Sequence, residues 1–220
     1  MKTKIISEEK LFFTAAILNL VIFVTEIVGF CFSAREIGVG LFIYYTELSN
    51  ILLALSSFFV LLSFYYNVRK GCGTNYPTHL FRFVATSAST LTFLVVLFVL
   101  MPTYKEPLRL LFDGSMFFHH TLCPLLSIIS FLFFEKEETR NLRSKHIPFA
   151  WIFTLLYGVV FLILNICRIV DGPYPFLRVY DQPIWASVLW IALILGIAGG
   201  ISVLLYVGNK KIFYRGIVHG

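Results

Sequence analysis

The 220-residue chain is 58% apolar and only 14% charged, with 24 Phe and a net charge of +6. Its mean hydropathy of +0.83 excludes an ordinary soluble globular domain and points to an integral membrane protein. The basic excess follows membrane topology and anionic lipid, so nucleic acid is not an expected partner.

Apolar runs fall at 11–33, 41–65, 81–101, 115–134, 148–167 and 184–207. Each is close to the ~20 residues that carry a helix across ~30 Å of hydrocarbon. They lack the alternation of barrel strands and satisfy their backbone hydrogen bonds internally, as lipid requires. The expected fold is an all-α, polytopic six-helix bundle forming one integral membrane domain over 1–220.

In the first run, Lys2, Lys4 and Lys10 precede a hydrophobic stretch too long for a signal-peptide core, so the N-terminus is expected to be retained. Asn19 and Glu26 lie inside this run. Glu26, as the costlier group to bury, should have a specific partner. The second run begins Tyr44-Tyr45-Thr46-Glu47-Leu48-Ser49-Asn50. Thr46, Ser49 and Asn50 stand at i, i+3 and i+4 and share a helical face. A membrane threonine commonly bonds its own helix or a neighbour, Ser49 and Asn50 suit interhelical hydrogen bonding, and Glu47 can reach the outer interface.

The fourth run carries His119 and His120 at a depth like that of Thr46, with Cys123 three residues after His120 and so within reach of it. The fifth ends near Asn165, Arg168 and Asp171, the latter two expected as an ion pair or lipid-headgroup contact. Tyr174-Pro175-Phe176 follow, and Gly196, Gly199 and Gly200 in the sixth run could permit close packing. Buried ionisable groups thus gather toward one end of the bundle. Few are expected at the other, which argues against a continuous proton or ion path.

Thirteen Lys and Arg fall on one side of this topology and five (Arg35, Lys105, Arg109, Arg168 and Arg178) on the other. The positive-inside rule then makes both termini cytoplasmic and puts Thr46 and the histidines in the outer leaflet. Cys31, Cys72, Cys123 and Cys167 form no C-x-x-C pair, so free thiols are expected, with neither metal nor other cofactor.

Three patches in order, Tyr44-Tyr45-Thr46 with Ser49 or Asn50, His120-Thr121-Leu122-Cys123-Pro124, and Tyr174-Pro175-Phe176, make the chain resemble the androgen-induced and androgen-dependent family of six-helix membrane threonine hydrolases and its bacterial relatives. That resemblance implies hydrolysis of lipid esters such as fatty acid esters of hydroxy fatty acids, with a threonine nucleophile, here Thr46, and a histidine base. Counting five residues back from Pro124 selects His119, whereas the His-Thr dipeptide selects His120, which is preferred. The animal pattern Asn-His-x-x-His-Thr is contracted here to Phe117-Phe118-His119-His120-Thr121. Ser49, Asn50, Asn165, Arg168 and Tyr174 are candidates for substrate binding or support of the site, Asn50 and Asn165 among them as oxyanion donors.

Membrane lipids with ester-linked acyl chains are the expected partners, and a plasma membrane the expected location if the chain is bacterial. Two alternatives stay open: Cys123 as the nucleophile of a lipid acyltransferase, and a lipid-binding, transport or scaffold protein without catalysis.

Overall fold

The computed structural model describes residues 2–70, 76–135 and 142–218. Cys72 lies outside them, as do the side chains of Lys2, Lys4, Arg69, Lys70, Lys136, Arg140 and Arg215, seven of the charges that set the topology. Six helices long and apolar enough to cross a membrane run over Lys10–Ile43, Tyr45–Tyr66, Pro77–Thr103, Gly114–Phe134, Ser144–Ile166 and Ile184–Ile212. These are spans 1 to 6 of an integral, multi-pass membrane bundle. Their outward faces expose large apolar side chains, among them Ile17, Val24, Phe58, Leu156, Val188 and Leu204, a surface suited to hydrocarbon and costly in water.

Span 3 is the most buried of the six and packs against spans 2, 4, 5 and 6. Its sequence explains the placement. Ala85, Thr86, Ser87, Ala88, Ser89, Thr90 and Thr92 are all buried, and small side chains let neighbouring backbones approach closely where lipid supplies no hydrophobic drive. Hydroxyl pairs join the bundle at its middle: Thr86 with Ser127 at 2.8 Å, and Ser49 with Thr92 at 2.8 Å.

Two of the departures from α geometry precede a proline. Span 3 widens to a π-helix over Val96–Leu100 just before Pro102, and span 4 does so over Phe117–Leu122 just before Pro124. Proline lacks an N–H and its ring crowds the carbonyl four residues earlier, so the preceding turn is released from regular pairing. In span 4 that turn holds His119 and His120, both buried although adjacent in sequence. The second helix begins at Tyr45, after a 3-10 segment over Gly38–Ile43. Thr46 is therefore its second residue, and not five residues inside as the hydropathy run implied.

The end of the bundle that carries the chain termini is not poor in buried charge. Arg82, one of the thirteen cations counted on this side, is fully buried within span 3 and pairs with fully buried Glu135 at 3.1 Å. Glu135 Oε1 also accepts from Asn19 at 3.0 Å and Ser130 at 2.7 Å, while Arg82 Nη1 donates to Ser57 at 3.0 Å and Ser56 at 3.3 Å. Those partners come from spans 1, 2, 3 and 4. Hydropathy averaging hid the cluster, because two opposite charges far apart in sequence cancel only in space. Gly196, Gly199 and Gly200 have open space where a Cβ would stand, so they mediate no close packing.

Candidate functional site

Thr46, Glu47, Ser49 and Asn50 all lie on the first turn and a half of the second span and all are buried. The Asn50 carboxamide spends both hydrogens on carbonyls, that of Thr46 at 2.9 Å and that of His119 at 3.0 Å. It thereby ties span 2 to the π-turn of span 4. Ser49 donates to the Thr46 carbonyl at 2.9 Å. Both residues brace the backbone around Thr46 and His119.

The two histidines divide sharply by environment. His119 sits among carboxylates: Nδ1 lies 3.2 Å from Glu47 Oε1, and Nε2 approaches Glu26 Oε2 at 3.4 Å without completing a hydrogen bond. Ser33 donates to the same Glu47 oxygen at 2.7 Å. Glu47 is thus an interior residue and not an interfacial one, whereas buried Glu26 has His119 within 3.4 Å but neither of its carboxylate oxygens completes a hydrogen bond. Gly29 permits the arrangement, since a Cβ there would stand 2.4 Å from His119 Nε2. His120 instead places Nδ1 2.6 Å from the Leu110 carbonyl. A carbonyl only accepts, so Nδ1 carries the proton and Nε2 keeps its lone pair, the tautomer a general base needs.

The Thr46 side chain faces a third group. Its Oγ1 lies 3.4 Å from the Tyr174 hydroxyl, and the same phenol oxygen accepts from the Thr46 N–H at 3.3 Å. Among the described residues no hydrogen bond joins Thr46 to either histidine. Tyr174 comes from the loop between spans 5 and 6. It is fixed by stacking on Phe176 at 5.1 Å and by an edge contact with Tyr44 at 6.3 Å. Burial pushes its phenol up to about 12, the hydrogen bonds to Thr46 opposing the rise, so the hydroxyl stays protonated at physiological pH.

Thr46 and Tyr174 line a cavity of about 120 Å³ between spans 2, 3, 5 and 6. Its wall is largely apolar, including Leu91, Val95, Leu162, Phe176 and Trp190, with Tyr45, Thr92 and Thr154 as polar points. Neither histidine contributes to that wall.

Several sequence expectations change here. Asn165 donates to Val170 O at 3.2 Å and accepts from Val179 N at 3.0 Å, which shapes the loop after span 5 outside the wall of the Thr46 cavity, and Asn50 has both amide hydrogens on backbone carbonyls, so neither is placed to meet an oxyanion. Arg168 stacks over Tyr180 at 4.7 Å and forms no ion pair with Asp171 among the described contacts, its backbone adopting a left-handed φ of 57° that turns the chain after span 5. Cys123 meets Thr25 Oγ1 at 3.2 Å in a buried apolar cluster with Ile22, Leu53 and Ala85, and not His120. One helical turn gives the right spacing, but the π-turn between them alters the register. Tyr174 gains weight beyond its motif, and Glu47 was underrated because its partners lie in spans 1 and 4.

No group of three or more His, Cys, Asp or Glu side chains suited to a metal occurs among the described residues. Comparison with protein-family models, with curated proteins and with solved structures finds no match.

Proposed function

We propose that the chain is an intramembrane lipid-ester hydrolase with Thr46 as nucleophile and His120 as general base. The observation that carries this reading is the Thr46 hydroxyl at the polar end of an apolar cavity among spans 2, 3, 5 and 6. Such a cavity has room for the ester group and the first few methylenes of an acyl chain whose remainder lies in the surrounding lipid, and it presents the ester to the hydroxyl. The resemblance to six-helix threonine hydrolases supports it independently, as does the fixed tautomer of His120.

The chemistry balances without a cofactor. The Thr46 Oγ–H gives its proton to His120 Nε2 as Oγ bonds to the ester carbon. Collapse breaks the ester C–O bond, and His120 returns the proton to the departing alcohol. Water, deprotonated in turn by His120, then attacks the acyl-threonine carbonyl; the acyl bond to Thr46 Oγ breaks, His120 returns the proton to Oγ, and the acid is released. Catalytic contacts are commonly long or unmade before substrate binds, and this mechanism requires Thr46 Oγ1 and His120 Nε2, which share no hydrogen bond among the described residues, to meet once the ester is bound. His120 is favoured over His119, whose two ring nitrogens are both turned toward carboxylates. With the termini cytoplasmic, as the loop charges imply, the substrate reaches Thr46 from the outer leaflet. A Cys123 acyltransferase is disfavoured because the thiol meets Thr25 within an apolar cluster of Ile22, Leu53 and Ala85 and forms no hydrogen bond with His120 among the described residues.

Purified protein in lipid nanodiscs, assayed with fluorogenic esters of graded acyl length and labelled with a fluorophosphonate, tests the reading. Thr46→Ala is expected to abolish hydrolysis and labelling. Undiminished activity in that variant removes Thr46 from the mechanism.

A further inference from the structure

The site leaves one catalytic requirement unassigned: a donor for the oxygen that becomes negative when the hydroxyl attacks an ester. Amide side chains do not supply it, because both Asn50 hydrogens are held by backbone carbonyls and Asn165 lies outside the wall of the Thr46 cavity. The Arg82 guanidinium is tied to Glu135, Ser56 and Ser57 near the opposite end of the bundle. One uncommitted O–H stands beside the nucleophile. The Tyr174 phenol oxygen is 3.4 Å from Thr46 Oγ1, lines the same cavity, and receives the Thr46 N–H. Since its oxygen is the acceptor for that N–H, its own hydrogen is available to another atom.

We propose that Tyr174 is a catalytic residue that donates its hydroxyl hydrogen to the carbonyl oxygen of the bound ester, with the Thr46 N–H as the second donor. This rests on Thr46 being the nucleophile. The geometry of the helix start favours the pairing. Thr46 is in the first turn of its helix, where N–H groups have no intrahelical acceptor and the positive end of the helix dipole is directed at incoming negative charge. A carbonyl oxygen held against Thr46 takes the place the phenol oxygen now occupies at the N–H, and the phenol hydrogen turns toward it. As Oγ bonds to carbon, the carbonyl π pair moves to that oxygen while the Thr46 proton passes to His120. Tyr174 stabilises the charge by hydrogen bonding and keeps its own proton throughout. The raised phenol pKa of about 12 agrees with a donor that does not ionise.

Local packing identifies a purpose for the Tyr174-Pro175-Phe176 segment. A 3-10 turn over Pro175–Leu177 brings Phe176 parallel to the Tyr174 ring, and Phe176 in turn packs on Trp190 at 5.8 Å. The phenol is thereby held rigidly over the start of span 2, as a pre-organised donor must be.

Tyr174→Phe keeps the ring and its stacking and removes only the hydroxyl. In nanodiscs it is expected to lower kcat about 100-fold or more, the usual effect of losing one such donor, with KM little changed. Fluorophosphonate labelling is expected to slow in parallel, because the phosphoryl oxygen occupies the same position. Phe176→Leu removes the stacking partner but retains the hydroxyl, and is expected to leave a kcat well above that of Tyr174→Phe. A Tyr174→Phe enzyme with kcat within threefold of the parent, beside an inactive Thr46→Ala, overturns the role of Tyr174 alone. Equal kcat losses in Tyr174→Phe and Phe176→Leu also overturn it by assigning the effect to packing. Full activity in Thr46→Ala removes the nucleophile and this inference together.

Discussion

Removing the Glu135 carboxylate strands a guanidinium in the bundle interior. Both partners of the Arg82–Glu135 pair are fully buried, and Glu135 Oε1 alone accepts from Arg82, Asn19 and Ser130. Glu135→Ala therefore leaves Arg82 Nε without its carboxylate and Asn19 and Ser130 without their acceptor. Breaking a buried pair from one side costs about 3–5 kcal/mol, so a change of more than 100-fold in the unfolding equilibrium is expected. Replacing both charges behaves differently, because an apolar pair of matching volume avoids burying either one. Arg82→Met with Glu135→Leu is expected to recover most of the lost stability, although Asn19 and the serines still lose a partner. Reversible unfolding in mixed micelles, followed by tryptophan fluorescence, measures the parent, Glu135→Ala and the double variant. A Glu135→Ala cost below about 1 kcal/mol, in the range of exposed pairs, refutes the reasoning, as does a double variant no more stable than the single.

The remaining expectations concern the site. Gly29→Ala places a methyl 2.4 Å from His119 Nε2, and its overlap with the ring is expected to cost about 1–3 kcal/mol by the same unfolding assay; a neutral effect would show that the ring can move aside. His120→Gln is expected to reduce hydrolysis about 100-fold or more, while His119→Gln, its ring held by Glu47 and Glu26, is expected to act mainly on stability; the reverse ranking of kcat in nanodiscs would make His119 the base. Leu91→Trp introduces a larger side chain at the cavity wall. Activity on long-chain esters is expected to fall more than on short ones, and an equal fall across acyl lengths would place the chain elsewhere.

Much of the architecture was legible because lipid imposes one strong rule on sequence. Each span must be long, apolar and internally bonded, so six runs become six helices, with ends shifted by at most about five residues except that the first extends well beyond residue 33 to Ile43. The exceptions have local causes. The run from Leu41 into the second span is as apolar as a helix, but the chain there forms a 3-10 segment that gives way at extended Tyr44 to the helix beginning at Tyr45. Hydropathy does not register that break, yet it puts Thr46 at a helix start instead of inside one. Arg82 reads as one of the topology-setting cations because no single run contains the Glu135, Ser56 and Ser57 that accommodate it.

The sequence names candidate residues for a site but not how they pair. Sequence placed Thr46 and the two histidines at a common depth, and depth is what helical rise reports. Azimuth is different. It depends on the π-turn before Pro124 and on how the helices rotate against one another, so Thr46 faces the cavity of spans 2, 3, 5 and 6 while His119 faces Glu26 and Glu47. Tyr174 stands far from Thr46 in sequence, on a loop whose periodicity carries no direction, yet its hydroxyl is the group that meets the threonine. A nucleophile in a membrane helix must be open to substrate on one side and to its base on another. Starting the helix one residue before Thr46 serves that need, because the first turn leaves its N–H groups unspent and lets a loop residue approach from outside the bundle. The short 3-10 segment before span 2 is therefore part of the proposed chemistry, and lengthening the helix backward through it would bury the Thr46 N–H in an ordinary intrahelical bond.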